Sequence, residues 1–123
     1  LHQIFKNKKK QKNMSFLQSL FGTATKKYTD VRGDEFLNLL GSTKNAVLID
    51  VRTPAEFAGG KVKGAVNMDI YSPNFAASID KLDKSKTYFV YCRSGARSGQ
   101  ACNLMAERGF ENLYNLSGGI SSL

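Results

Sequence analysis

A chain of 123 residues with 41% hydrophobic and 23% charged residues fits one soluble globular domain with a core of its own. Two cysteines make no disulfide framework, and no apolar run approaches the length needed to cross a membrane. The net charge of +8 suggests a nucleic-acid partner, but five of those charges are Lys6, Lys8, Lys9, Lys10 and Lys12, so the rest carries only +3 and neither nucleic acid nor membrane is expected as a partner.

The acid-free run Leu1 to Asn13 reads as a disordered tail. Met14 reads as a native start, which makes residues 1–13 an added or upstream-translated extension. Phe16, Leu17, Leu20 and Phe21 suit one face of a brief helix ended by Gly22. A lysine run before an apolar stretch also resembles a signal peptide, but Ser15, Gln18 and Ser19 interrupt the apolar part. The reading is therefore a basic tail and amphipathic lead-in over 1–27, then a domain over 28–123.

Within the domain, Tyr28 to Val31 reads as a short strand. Asp34 and Glu35 open a helix carrying Phe36, Leu37, Leu39 and Leu40, with Gly41 as its stop. Ala46-Val47-Leu48-Ile49 is a continuous apolar run, as in a strand buried on both faces, and it ends at Asp50. Thr53 as N-cap, Pro54 at the first helical position and Glu56 in the capping-box position predict a helix start, and Gly59-Gly60 its end. A short strand follows at 65–68. Ser72-Pro73 predicts another helix start, with Phe75, Ile79 and Leu82 on its apolar side. Thr87 to Tyr91 is a strand, Ser98 to Arg108 a helix capped by Gly109, and 113–116 a last strand. Strands alternating with helices imply an α/β parallel sheet with helices on both faces, and ligands of such sheets gather at the carboxyl ends of the strands. Asp50 and Cys92 both fall at such ends.

Cys92 is the centre of the chain's chemistry. An apolar strand delivers it to a loop, Arg93-Ser94-Gly95-Ala96-Arg97, and a helix opens at Ser98. Successive amides in such a loop converge into an anion-binding nest, and the helix N-terminus adds positive potential. Arg93 and Arg97 add full charges, so Cys92 is expected to be a thiolate nucleophile. The only histidine is His2, in the tail, so no Cys–His catalytic pair is available in the folded region and a zinc site is not expected. No cofactor is called for. Cysteines left free suit a reducing compartment, so a cytoplasmic location is the expectation.

Three blocks together resemble the rhodanese-like domain family. The first is Asp50-Val51-Arg52, Glu56-Phe57, Gly60, Gly64-Ala65 and Asn67. The second is Cys92-Arg93-Ser94-Gly95-Ala96-Arg97-Ser98, similar to the family's active-site loop. The third is Gly109-Phe110, Leu116 and Gly118-Gly119. The resemblance implies a rhodanese-like sheet and a thiosulfate sulfurtransferase that forms a persulfide on Cys92. The donor would be thiosulfate or a persulfide, and the acceptor a thiol or cyanide. It also implies that residues 93–98 hold the anionic sulfur, with Arg93 and Arg97 attracting an anionic donor. Where the family often has histidine this sequence has Lys61. Where the family often has tryptophan after the last glycine pair, the sequence ends at Leu123, and a missing closing helix would expose part of the core.

Two other functions compete. A phosphatase or arsenate reductase of the same fold needs a cysteine, five residues, then arginine; here the fifth residue after Cys92 is already Arg97, a loop suited to one sulfur. A non-catalytic binding module of the same fold would be expected to lack the cysteine. Asp50, Arg52 and Glu56 are read as supporting residues, with an ion pair between Arg52 and Glu56 and Asp50 bonded to loop amides. Cys102 is expected to pack in the core, and Lys61 and Lys63 to form a solvated face.

Overall fold

The computed structural model describes residues 26–123. The basic tail, the start at Met14 and the lead-in helix lie outside the described residues. Five strands form one parallel sheet: β1 (Thr29–Val31), β2 (Ala46–Asp50), β3 (Val66–Asn67), β4 (Thr87–Tyr91) and β5 (Asn112–Leu116). Their order is β1-β5-β4-β2-β3, which puts β4 in the centre. Four helices connect them: α1 (Gly33–Ser42), α2 (Pro54–Gly59), α3 (Phe75–Asp80) and α4 (Ala96–Glu107). A closing 3-10 turn spans Ile120–Ser122.

The apolar runs read from the sequence become β2 and β4, which pair along their whole length with Ile49 opposite Val90 and Asp50 opposite Tyr91. The sheet is covered on both faces, so Tyr88, Phe89, Val90 and Tyr91 of its central strand are all buried. Their side chains alternate between two cores. Tyr88 and Val90 join Phe75 and Ile79 of α3 and Ala101, Cys102 and Met105 of α4. Phe89 and Tyr91 join Phe36 of α1, with Leu48 and Leu116. Phe36 meets Phe89 edge-on at 5.4 Å between ring centroids, and Phe89 stacks on Tyr114 at 4.9 Å. Helices therefore cover both faces, as expected. Among the described residues no helix is long and apolar enough to cross a membrane.

Several boundaries shift by a residue or two from the expectation, the last helix ending at Glu107 with Arg108 as its cap and the third at Asp80, short of Leu82; three other differences bear on the local geometry. Gly41 does not stop α1, which runs on to Ser42. Ser72-Pro73 does not open α3: Phe75 N–H bonds the Ser72 carbonyl at 3.1 Å and Asn74 N–H bonds the Ser72 hydroxyl at 3.2 Å, a turn that delays the helix to Phe75. The helix after the cysteine loop opens at Ala96, not Ser98, because Gly95 takes φ 104°, a left-handed conformation that lets the chain reverse within one residue. Ser98 is thereby drawn inside the helix.

Candidate active site

Cys92 directly follows β4, and its residue is 1% exposed. Its Sγ accepts the Gly95 N–H at 3.1 Å and the Ser98 hydroxyl at 3.4 Å. The early helix start produces both contacts. The left-handed Gly95 turns its amide back over the sulfur, and one helical turn brings the fully buried Ser98 beside it. Burial pushes the thiol up, but the Ser98 hydroxyl and the amides of Ser98, Gly95 and Ser94 pull harder, and the net position is below that of ordinary cysteine. The donors that favour the thiolate are thus loop amides and a hydroxyl. Arg97 is coupled to the sulfur by charge as well, a smaller contribution than these hydrogen bonds. Cys102, wholly buried among apolar side chains, is pushed well up by that burial.

The floor of the loop comes from the end of the chain. Ile120 N–H bonds the Cys92 carbonyl at 2.9 Å, and Ser121 gives both its N–H (3.2 Å) and its hydroxyl (2.9 Å) to the Arg93 carbonyl. These carbonyls lie past the end of β4, so the closing turn supplies the partners that the ladder no longer does. A Cβ on Gly95 would meet Gly118 N at 3.1 Å and Leu116 O at 3.3 Å. Asn115 of β5 reaches the same loop: its Nδ2 donates to Asp30 Oδ1 at 2.9 Å and to the Gly95 carbonyl at 3.4 Å. Sequence reading missed Ser121 and Asn115 as loop supports. Gly118-Gly119 was the visible signal, since paired glycines mark a close backbone approach.

The supporting residues are rearranged relative to the expectation. Arg52 does not pair with Glu56. Its Nη2 bonds Asp50 Oδ2 at 2.7 Å and the Gly60 carbonyl at 2.6 Å, and its Nε lies 3.0 Å from both Asp50 oxygens. Asp50 also accepts the Arg52 N–H at 2.9 Å, and the pair is buried. Asp50 thus accepts a loop amide at the carboxyl end of β2, as expected, and holds the guanidinium of the same residue. Asn67 bridges the Asp50 and Arg52 carbonyls at 3.0 and 2.9 Å, and Tyr91 OH accepts the Val62 N–H at 3.0 Å. These contacts fasten residues 60–67 to the ends of β2 and β4.

Glu56 pairs instead with Arg97 in the first turn of α4, in a bidentate contact of 2.7 and 2.9 Å. The capping box is present as expected, with Glu56 N–H on Thr53 Oγ1 and Thr53 N–H on Glu56 Oε1. The Arg97 guanidinium above all, helped by the Thr53 donors against burial, holds the Glu56 carboxyl down at about 2. Arg97 also lies 5.7 Å from the Tyr71 ring. Arg93 is exposed and makes no ion pair among the described residues. Lys61 and Lys63 are exposed, with Lys61 Nζ 4.7 Å from the Phe57 ring.

The rhodanese-like domain family matches residues 33–123. A protein described as a sulfurtransferase from Allochromatium vinosum is 33% identical over 91 residues, covering 74% of this chain and 83% of that one. A tRNA uridine(34) hydroxylase from Pelagibacter ubique is 34% identical over 84 residues, which span 68% of this chain but 28% of the hydroxylase. The crystal structure of a rhodanese-like domain protein from Staphylococcus aureus superposes with a TM-score of 0.67 at 24% identity, covering 76% of this chain and 89% of that one, a likeness of fold.

Proposed function

Because the chain belongs to the rhodanese-like domain family, we propose that it is a sulfurtransferase that carries sulfane sulfur as a persulfide on Cys92. The observation that carries this reading is the buried Cys92 sulfur with the Gly95 N–H and the Ser98 hydroxyl directed at it. A cysteine held this way is a nucleophile under conditions where an ordinary thiol is mostly protonated.

The chemistry is two displacements. The Cys92 thiolate attacks the outer sulfur of thiosulfate; the new S–S bond forms as the old one breaks, and sulfite leaves with the electron pair. The resulting persulfide is anionic at its outer sulfur, where the amides of Ser94, Gly95 and Ser98 are the available donors. A thiol or cyanide acceptor then attacks that outer sulfur and regenerates the Cys92 thiolate. Thiosulfate and small persulfides are the donor classes in this reading, and no cofactor takes part. It also includes a cytoplasmic location, supported by two cysteines that are both free.

The test is the mass of the purified protein after thiosulfate, then after cyanide. The expected result is one added sulfur atom on the Cys92 peptide, discharged by cyanide as thiocyanate. Absence of the adduct with both thiosulfate and a small persulfide as donor would remove the sulfurtransferase reading and favour a binding module.

A further inference from the structure

Two arginines flank the cysteine in sequence, but the fold leaves them in different electrostatic states. Arg97, in the first turn of α4, gives both terminal nitrogens to Glu56. Glu56 is itself fixed from behind, because Oε1 also accepts the Thr53 N–H and the Thr53 hydroxyl at 3.1 Å each. The pair is partly buried, with 18% of the Arg97 side chain and 30% of the Glu56 side chain exposed. One edge of the guanidinium is held by the carboxylate, and Tyr71 lies over it. Arg93 has no such partner among the described residues. Of the two arginines flanking the cysteine, one is therefore compensated and one is not.

From this arrangement we propose that Glu56 is a specificity-determining residue: by neutralising Arg97 beside the cysteine loop, it lowers the preference for doubly charged donors relative to singly charged ones. The inference rests on the sulfurtransferase reading given above. Its physical basis is that a dianion brought to a site of low dielectric gains about twice as much from each added positive charge as a monoanion does. Thiosulfate and benzenethiosulfonate isolate that difference. Both present an outer sulfur to the thiolate, and both leave as an anion, sulfite from the first and benzenesulfinate from the second. Charge is conserved in each step, and the same persulfide remains on Cys92. They differ by one unit of charge.

The experiment measures kcat/KM for both donors with cyanide as acceptor, in wild type, Glu56→Gln, Arg97→Gln and the double variant. Because both donors are assayed on the same preparation, partial loss of folded protein cancels in their ratio. Glu56→Gln should raise the thiosulfate-to-benzenethiosulfonate ratio by about three- to tenfold, a screened single-charge effect. The change should fall in KM. Arg97→Gln, which uncovers the carboxylate, should lower the ratio, and the double variant should return it towards wild type. A ratio unmoved in Glu56→Gln while both donors still turn over, or moved the same way in both single variants, would overturn the role of Glu56 and leave the sulfurtransferase reading intact. Failure of the wild type to turn over either donor would overturn both.

Discussion

The backbone of Gly119 touches the backbone of Arg93. A Cβ on Gly119 would lie 2.1 Å from the Arg93 carbonyl oxygen and 2.4 Å from the Ser94 nitrogen, closer than any side chain can approach. Gly119 also sits at φ 69°, in the left-handed region. The closing turn and the cysteine loop are therefore one packed unit, and the loop's shape depends on residues more than twenty positions downstream.

Gly119→Ala should displace the loop and destabilise the fold by about 3 kcal/mol or more, since it combines overpacking against backbone with an unfavourable φ. Denaturant unfolding measures the loss. A variant within about 0.5 kcal/mol of wild type would show that the two segments separate freely.

Cys92→Ser should abolish sulfur transfer, because a hydroxyl there is not ionised and forms no persulfide. Cys102→Ser should retain most of it, since Cys102 is wholly buried and burial pushes its thiol up, away from the nucleophilic form. Thiocyanate production from thiosulfate and cyanide reads both. Wild-type rates in Cys92→Ser would show that another group carries the sulfur.

Ser98→Ala should move the midpoint of Cys92 alkylation by iodoacetamide upward in pH by about one unit, the effect of losing one hydrogen bond to an anion. The sign follows from the Ser98 donor, which favours the thiolate over the thiol. Arg97→Gln combined with Glu56→Gln should leave that midpoint almost unchanged. Rates taken against pH in a Cys102→Ala background keep one thiol as reporter. The opposite order of effects would restore the arginines as the activating groups.

Glu56 titrates near 2 in the folded protein, below its ordinary value of 4.5. A depressed carboxylate contributes stability that is fully present above the unfolded value and is lost as pH falls through the folded one. Wild type should thus lose stability between pH 4.5 and about 2, and Glu56→Gln should lose less over that window. Parallel thermal melts compare the slopes; equal slopes would mean that solvent screens the pair completely.

Arg52→Met should destabilise by about 3–5 kcal/mol, because it leaves the Asp50 carboxylate buried without its cation. Replacing Asp50 with Asn and Arg52 with Met together should recover part of the loss. Denaturant midpoints of the two variants decide it, and a harmless single variant would show that water reaches Asp50.

The strands, the cysteine at the end of β4 and the capping box at Thr53 were legible because each follows from local rules: apolar runs, fixed turn chemistry and spacing of three or four residues. The ion pairs were not. Arg52 and Glu56 look like partners at a spacing of four, yet Arg52 sits at a bend before the extended N-cap Thr53 and folds back on Asp50. Glu56 is claimed by Arg97, 41 positions away. The start of α4 was missed for a related reason. Sequence marks Gly95 as a loop residue, but only its left-handed backbone angle, at a place where Gly118 leaves little room for a side chain, shows that the helix begins just after it. Partners brought together by the sheet order leave no periodic trace in the chain.

The central place of β4 has a consequence for how the molecule fluctuates. Edge strands β1 and β3, three and two residues long, can fray with little loss of ladder, while β4 is paired along both sides. Amides of β4 should therefore exchange with deuterium only through the highest-energy openings of the chain, and those of β1 and β3 through cheap local ones. Cys92 is tethered to the slowest segment. The backbone at Cys92 should therefore open only when the centre of the sheet does, while its loop leans on β1 through Asn115 and Asp30 and is softer on that side.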